Sequence, residues 1–253
     1  MTGLRNHKIF LVRLFLILTG SFAILWGLVT LPVFWEQSAI EKTAKQIIRG
    51  EQFKLEALKS EMPLIDSIDG STHCRPAGIQ SAAIVRLGIA EDAIASGDRQ
   101  FIDLQLKASD RQIRDSLSCS PADSFLWLAL FWVDNNLSGL RPSYFQYLRM
   151  SYEVGPNEGW VALRRNYLAF SIFDHLPSDL ADKAMREFVG LVDAQLYSET
   201  AEIFVGPAWH VRDEILSRLA EVEPKNRQAF ADVLNAQGVE VAVPGTQPPH
   251  NGR

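Results

Sequence analysis

Two cysteines, Cys74 and Cys119, are the side chains whose type and spacing most directly imply chemistry. Outside the cytoplasm, thiols meet an oxidising environment and tend to pair. A bond closing this loop of about 45 residues would stabilise the fold by roughly 4 kcal/mol in the chain-entropy treatment. We predict a disulfide between them. Two free thiols are one alternative; a catalytic thiol is another, although no neighbouring pattern indicates a lowered thiol pKa.

Two consecutive arginines, Arg164 and Arg165, interrupt an apolar helical stretch over residues 160–172. At about 100° per residue, Arg164 falls near the middle of the apolar arc and Arg165 at its edge. A buried guanidinium needs hydrogen-bonding partners, because an isolated buried charge would cost several kcal/mol. We predict a salt bridge to a carboxylate on a neighbouring helix, for example Glu91 or Asp134. The alternative is a site for an anionic group such as a uronic acid or a phosphate.

The sequence contains no complete catalytic, metal or cofactor motif. The five histidines include no pair with the i, i+4 spacing of a helical zinc site. Asp66, Asp69 and Gly70 lack the alternating oxygen ligands of a calcium loop. The nucleophile elbow, the phosphate loop and the dinucleotide fingerprint are all missing. We therefore predict no cofactor, no metal and no catalytic residue.

Length and charge limit the class of protein further. The chain has 253 residues, enough for one membrane segment and one domain of ordinary size. Its net charge is −5, with 25 basic and 30 acidic residues well mixed along the chain. No basic stripe is present that could neutralise the phosphates of a nucleic acid, so we exclude nucleic acid as a partner.

The elements that position these residues start from an uncharged stretch between Leu14 and Trp35. It is long enough to span a hydrocarbon core of about 30 Å as a helix. The tail 1–13 is basic, and short basic flanks stay in the cytoplasm while long trailing domains cross the membrane. We predict a single-pass anchor with the C-terminal domain in the periplasm of a Gram-negative bacterium. A cleaved signal peptide and a buried soluble helix are the alternatives; bulky residues replace the small ones that a cleavage site needs.

After the anchor, helical periodicity continues to the end of the chain. An amphipathic stalk helix is predicted over 36–62, a loop over 63–78, a helical domain over 79–237 and a disordered tail over 238–253. Within the domain, apolar stretches end at Gly or Pro, as helices do. The helices are expected at 79–95, 101–117, 123–137, 142–154, 158–175, 178–196, 207–222 and 225–237. No period-2 alternation is sustained, so the fold class is all-α.

The stretch 123–137 is apolar almost all round, and such a helix is a buried one. We expect it at the centre of the core, with Trp127, Leu130 and Phe131 as core residues and Trp160 as a further one. Truncating Trp127 would then cost about 3 to 5 kcal/mol.

The spacing of Pro121, Trp127 and Leu130 resembles the tetratricopeptide repeat, in which a Pro closes one helix pair and a Trp and a Leu open the next. Phe131 stands where the family has a small residue, and Pro156 falls one residue late for a period of 34. The likeness covers one repeat and, by helix length and rhythm, the region 79–237. It implies a degenerate antiparallel repeat array or, alternatively, an irregular helical bundle.

Repeat arrays usually bind other proteins across an extended surface. The resemblance therefore implies a non-catalytic membrane scaffold or adaptor whose partners are membrane or periplasmic proteins. It also suggests a process, namely surface-polysaccharide assembly or export. Two alternatives stay open: an assembly factor or small subunit of a membrane complex, and an envelope enzyme acting on glycan, which would need paired carboxylates in a cleft.

Overall fold

The computed structural model describes residues 2–51, 53–70 and 74–247, with the side chains of 10–31 and of the residues from 38 onward except 96. Helices make up the regular structure, and no strand occurs in these ranges. The all-α fold class is confirmed. The contacts divide the chain into two compact units, 1–98 and 99–253.

The first unit is built around its last helix. Its helices are α1 (Thr2–Ile48), α2 (Leu55–Lys59), α3 (Met62–Asp69) and α4 (Pro76–Ser96). The other three all contact α4. Apolar residues of α4 are buried on nearly every side, so it has no broad polar face. A helix of this kind is stable only when its neighbours cover it.

The N-terminal half of α1 is apolar and uncovered. Phe10–Leu31 has a mean hydropathy of 2.2, is 0% buried and is long enough to cross a membrane. A signal sequence near an N-terminus has the same properties. The predicted span, 14–35, starts four residues later, and the side chains of 32–37 lie outside the described residues.

The prediction of a free stalk helix over 36–62 is wrong. Within α1, Ile40 and Ala44 are buried, and this helix packs against α4. The helix ends at Ile48, just before Gly50, which has a φ of +83° that an L side chain rarely adopts. Periodicity revealed the amphipathic face but not that α4 covers it.

The predicted loop over 63–78 is wrong in its first half, because α3 occupies Met62–Asp69. Proline in the first turn of a helix costs no hydrogen bond, since the N–H it lacks has no partner there. Ile65 is fully buried, and Asp66 and Asp69 accept hydrogen bonds from Arg86 of α4 at 2.9 and 3.1 Å. The acidic residues that resembled loop chemistry hold a buried arginine.

The second unit follows the predicted helices more closely. It comprises α5 (Arg99–Cys119), α6 (Ser124–Ser138), α7 (Phe145–Val154), α8 (Gly159–Ser171), α9 (Ser178–Asp193), α10 (Tyr197–Val205), α11 (Arg212–Arg218) and α12 (Pro224–Ala236). The sequence prediction missed α10. It also overstated the helix 207–222, in which short 3-10 turns flank α11.

The predicted buried helix, now α6, is confirmed as a core element of this unit. It lies between α5 and α7, and Leu130 and Phe131 are 2% and 0% exposed. Trp127 and Trp160 are only half-buried, so their assignment to the core was too strong. The indole N–H of Trp127 donates to the carbonyl of Pro121 at 2.8 Å, which keeps the ring near the surface.

A second apolar cluster lies towards the C-terminus. Phe188 and Phe204 each meet Phe230 edge to face, with ring centroids 6.0 and 6.1 Å apart. Val243 is buried here and Val239 and Val241 pack against the cluster, so the prediction of a disordered tail is wrong for 239–247. Alternate valines contribute apolar area even where Pro and Gly exclude a helix. Residues 248–253 lie outside the described residues.

We expect Phe131→Ala to lower the free energy of unfolding by about 3 to 5 kcal/mol, because it leaves a cavity in a closed core. Trp127→Ala should cost less, roughly 1 to 3 kcal/mol, since part of that ring already meets water. Thermal unfolding of the full chain in detergent, followed by circular dichroism, measures the order. A Trp127→Ala variant that melts below Phe131→Ala would contradict it.

Candidate functional site

The most tightly held charge in the second unit belongs to Arg165. Its side chain is 0% exposed and projects from α8 towards the end of α7. Nη1 donates to the carbonyl oxygen of Ser151 at 2.5 Å and lies 3.0 Å from its hydroxyl, and Nη2 donates to the carbonyl of Gly155 at 3.1 Å. Backbone acceptors at a helix C-terminus are favourable partners for a cation.

The carboxylate partner of Arg165 is Glu187 of α9. Nη2 and Nε of the guanidinium donate to Glu187 Oε1 at 2.5 and 3.0 Å. The Glu187 side chain is 8% exposed. Burial raises the pKa of Glu187, while the guanidinium opposes that rise. The pair is therefore a desolvated ion pair, held by hydrogen bonds on all sides.

The sequence reasoning found the right pair of arginines but chose the wrong one. Arg165 is the fully buried residue, whereas Arg164 is half-buried with its guanidinium 5.6 Å from the Trp160 ring. The helical arc gave the apolar face of α8 but not the position of α9. The suggested partner Asp134 instead accepts from Arg114 at 2.8 Å.

Further polar contacts connect the ion pair to the helices around it. The Ser151 hydroxyl donates to the carbonyl of Ser124, whose own hydroxyl donates to Glu158 at 3.0 Å. The Asn166 amide donates to the carbonyl of Ala184 at 2.8 Å. A Cβ at Gly155 would lie 2.3 Å from Ser124 Cβ, so only glycine permits this approach. Four helices, α6 to α9, thus share one network.

A pocket of about 550 Å³ opens beside this network. Residues from the end of α7, the start of α8, α9 and the turn after it line the pocket: Tyr152, Pro156, Asn157, Gly159, Ala162, Lys183, Arg186, Glu187, Gly190, Leu191, Ala194 and Leu196. Glu187 is the one carboxylate among them, and Arg165 holds it. Sequence reasoning missed this site because its polar residues are far apart along the chain and form no motif.

Tyr152 separates the ion pair from the pocket. Its ring lies 4.3 Å from Arg165 Cζ and 5.8 Å from Lys183 Nζ, so two cations face one aromatic ring. Burial, reinforced by the negative charge of Glu187, raises the pKa of Tyr152 well above its ordinary value. The phenol is therefore neutral over the physiological range and is available as a hydrogen-bond donor.

A second pocket, of about 440 Å³, lies beside the 3-10 turns that follow α8 and α10. His175 and His210 line it together with Asp174, and His210 Nε2 lies 3.8 Å from Asp174 Oδ1. The two histidines are distant in sequence, and the fold brings them to one pocket. Within the described ranges, no group of three or more His, Cys, Asp or Glu side chains is arranged to hold a metal.

Cys74 and Cys119 are both disulfide-bonded, and the described part of the chain contains no free cysteine. Their pairing with each other is our prediction. Cys74 directly precedes the start of α4 by two residues, and Cys119 is the last residue of α5.

No protein-family model, curated protein or solved structure matches this chain significantly. The fold and the site were therefore interpreted from their own contacts, and the function that they support is argued on that basis below.

We expect Glu187→Leu to destabilise the protein by about 3 to 5 kcal/mol, because it leaves a buried guanidinium without its counter-charge. Adding Arg165→Met should restore part of the loss, since the double variant buries no isolated charge. Urea unfolding of the full chain in detergent measures both.

The matched control for this experiment is Arg149→Leu. Arg149 pairs with Asp179 between the same helices, α7 and α9, at 2.7 Å, but both side chains are more than a third exposed. We expect at most about 1 kcal/mol there. A double variant less stable than Glu187→Leu alone would show that the neutral contacts of Arg165, rather than charge compensation, dominate.

We expect non-reducing proteolysis of the full chain to release one pair of peptides joined through Cys74 and Cys119, with reduction separating them. Mass spectrometry identifies the pair. In a Cys119→Ser control, Cys74 should become a free thiol that a maleimide labels. Disulfide-linked dimers of the wild-type chain on a non-reducing gel would instead indicate pairing between two chains.

Proposed function

We propose that this protein is a non-catalytic, single-pass inner-membrane adaptor whose helical body lies in the periplasm and binds other envelope proteins. The carrying observation is that one uninterrupted helix, Thr2–Ile48, contains both an uncovered apolar stretch and a packed end. The process that the repeat resemblance suggests is surface-polysaccharide assembly or export.

The need for a cover over Phe10–Leu31 supports the membrane part of this proposal. A helix of this length is about 33 Å long, close to the thickness of a bilayer core. Its large side chains are mostly more than half exposed; for example, Phe22, Leu28 and Val29 are 67%, 68% and 72% exposed. So large an apolar surface is not stable in water. A bilayer covers it on all sides.

Two features support the orientation. The residues before the span include Arg5, Lys8 and Arg13, and short basic flanks remain in the cytoplasm. Both cysteines follow the span and are disulfide-bonded, which fits an oxidising compartment. A C-terminal body in the periplasm satisfies both features at once.

The neighbour pattern of the second unit supports a binding role of the tetratricopeptide-like kind. The helix α6 contacts α7 and α8, and α9 contacts α8 and α7. Stacked helix pairs contact one another in this way, because equivalent helices of successive pairs are neighbours. The hydrogen bond from Ser124 to Glu158 joins the starts of α6 and α8. Such stacks offer an extended surface suited to protein partners.

Copurification tests the proposal. The full chain with an affinity tag is compared with a variant whose 10–31 stretch is replaced by an unrelated transmembrane helix of the same length, both extracted in mild detergent. We expect both to retain the same envelope proteins. Loss of the partners from the exchanged variant alone would favour the alternative of an assembly factor that binds through its anchor.

The orientation has its own measurement. Reporter fusions after residue 98 and after residue 247 should be active only as a periplasmic enzyme and silent as a cytoplasmic fluorophore. Replacing Arg5, Lys8 and Arg13 with glutamate should weaken this orientation, because the positive flank sets it. Fluorescent fusions of the unaltered chain would contradict the periplasmic assignment.

A further inference from the structure

The pocket beside Arg165 has a positively polarised wall formed by the first turn of α8. The N-cap residue, Glu158, directs its side chain to Ser124 and makes no capping hydrogen bond to its own helix. The first backbone N–H groups with helical acceptors are those of Val161 and Ala162, which donate to the carbonyl of Glu158. The preceding N–H groups are the orphan donors of a helix N-terminus, where anions bind favourably.

The opposite wall, on α9, adds cations. Lys183 has no carboxylate within 4 Å among the residues that the structure describes, whereas Arg186 pairs with Asp182. The charge of Glu187 is already matched by Arg165. Lys183 is therefore the uncompensated charge of the pocket, and an anion bound near it would restore the balance.

Tyr152 gives an independent indication of a ligand. The residue is 7% exposed, and its hydroxyl is buried without a well-formed hydrogen bond among the described residues. Buried polar groups are nearly always satisfied, and leaving one unpaired is costly. This hydroxyl belongs to the lining of the pocket, so an acceptor bound there could take its proton in a hydrogen bond.

We propose that this pocket binds the phosphate group of a small phosphorylated molecule. A compact lysine charge and a helix N-terminus are both suited to phosphate. A carboxylate would be favoured by a free guanidinium fork, but Arg165 and Arg186 are both engaged by carboxylates already. The volume, about 550 Å³, lies within the usual range of small-molecule sites. This assignment does not depend on the adaptor function.

The test is a titration of the full chain in a non-ionic detergent with inorganic phosphate and, separately, with a hexose monophosphate. The thermal unfolding midpoint and intrinsic fluorescence are followed at constant ionic strength. We expect saturable binding, tighter for the hexose monophosphate because its ring fills more of the pocket. Sodium glucuronate is the comparison anion. Binding of glucuronate without binding of phosphate would overturn the assignment.

Two variants locate the site. Lys183→Gln should weaken phosphate binding about tenfold by removing a charge-assisted hydrogen bond. Tyr152→Phe should weaken it about fivefold, yet the ligand-free variant should melt no lower than the wild type, because it loses only an unpaired hydroxyl. A purely structural role for Tyr152 would give the opposite pattern, a lower melting point with unchanged binding.

Lys107→Gln is the matched control, since Lys107 is an exposed lysine on α5 away from the pocket lining. It should bind phosphate as the wild type does. Equal weakening in Lys107→Gln and Lys183→Gln would reduce the effect to general charge and overturn the proposal. The absence of saturable binding of either phosphate compound to the wild-type chain would overturn it as well.

Discussion

Arg165 carries a full positive charge with none of its side chain exposed, and much of the second unit is arranged so that this charge is met. Two backbone carbonyls, one hydroxyl and one carboxylate surround the guanidinium. Each acceptor comes from the end of α7 or from α9, so these elements have little freedom to move relative to α8. Satisfied networks of this kind define one arrangement, because a partly satisfied network would be costly.

The same constraint shapes the pocket. Since Glu187 is held by Arg165, its carboxylate is not free to neutralise the cations around it. Lys183 and the first turn of α8 therefore remain without an anion, and Tyr152 remains without an acceptor. The buried ion pair thus leaves a positive surface next to it, although the whole chain is acidic.

Local sequence features predicted the parts of this structure that depend on local physics. The apolar 10–31 stretch, the all-round apolar helix α6 and the helix ends at Gly97 and Gly139 follow from composition and periodicity. The resemblance to a repeat family, by contrast, is still a proposal.

The errors arose where a distant segment decides the outcome. Arg165 rather than Arg164 is fully buried because α9 brings Glu187 to that side of the helix. The segment around Asp66 is helical because Arg86 of α4 binds its carboxylates. The valines after Gly238 are ordered because an apolar cluster accepts them. None of these partners is near in sequence, so no periodicity could have indicated them.

The continuity of α1 has a geometric consequence. A helix turns by about 100° per residue, so the side of the span that faces a given direction is fixed in phase with the buried side formed by Ile40 and Ala44. The unit containing α4 therefore determines which lipid-facing side chains point where, as a gear determines the angle of its shaft. A single residue inserted between Leu31 and Ile40 would rotate that membrane face by more than a quarter turn while leaving hydrophobic length and charge unchanged.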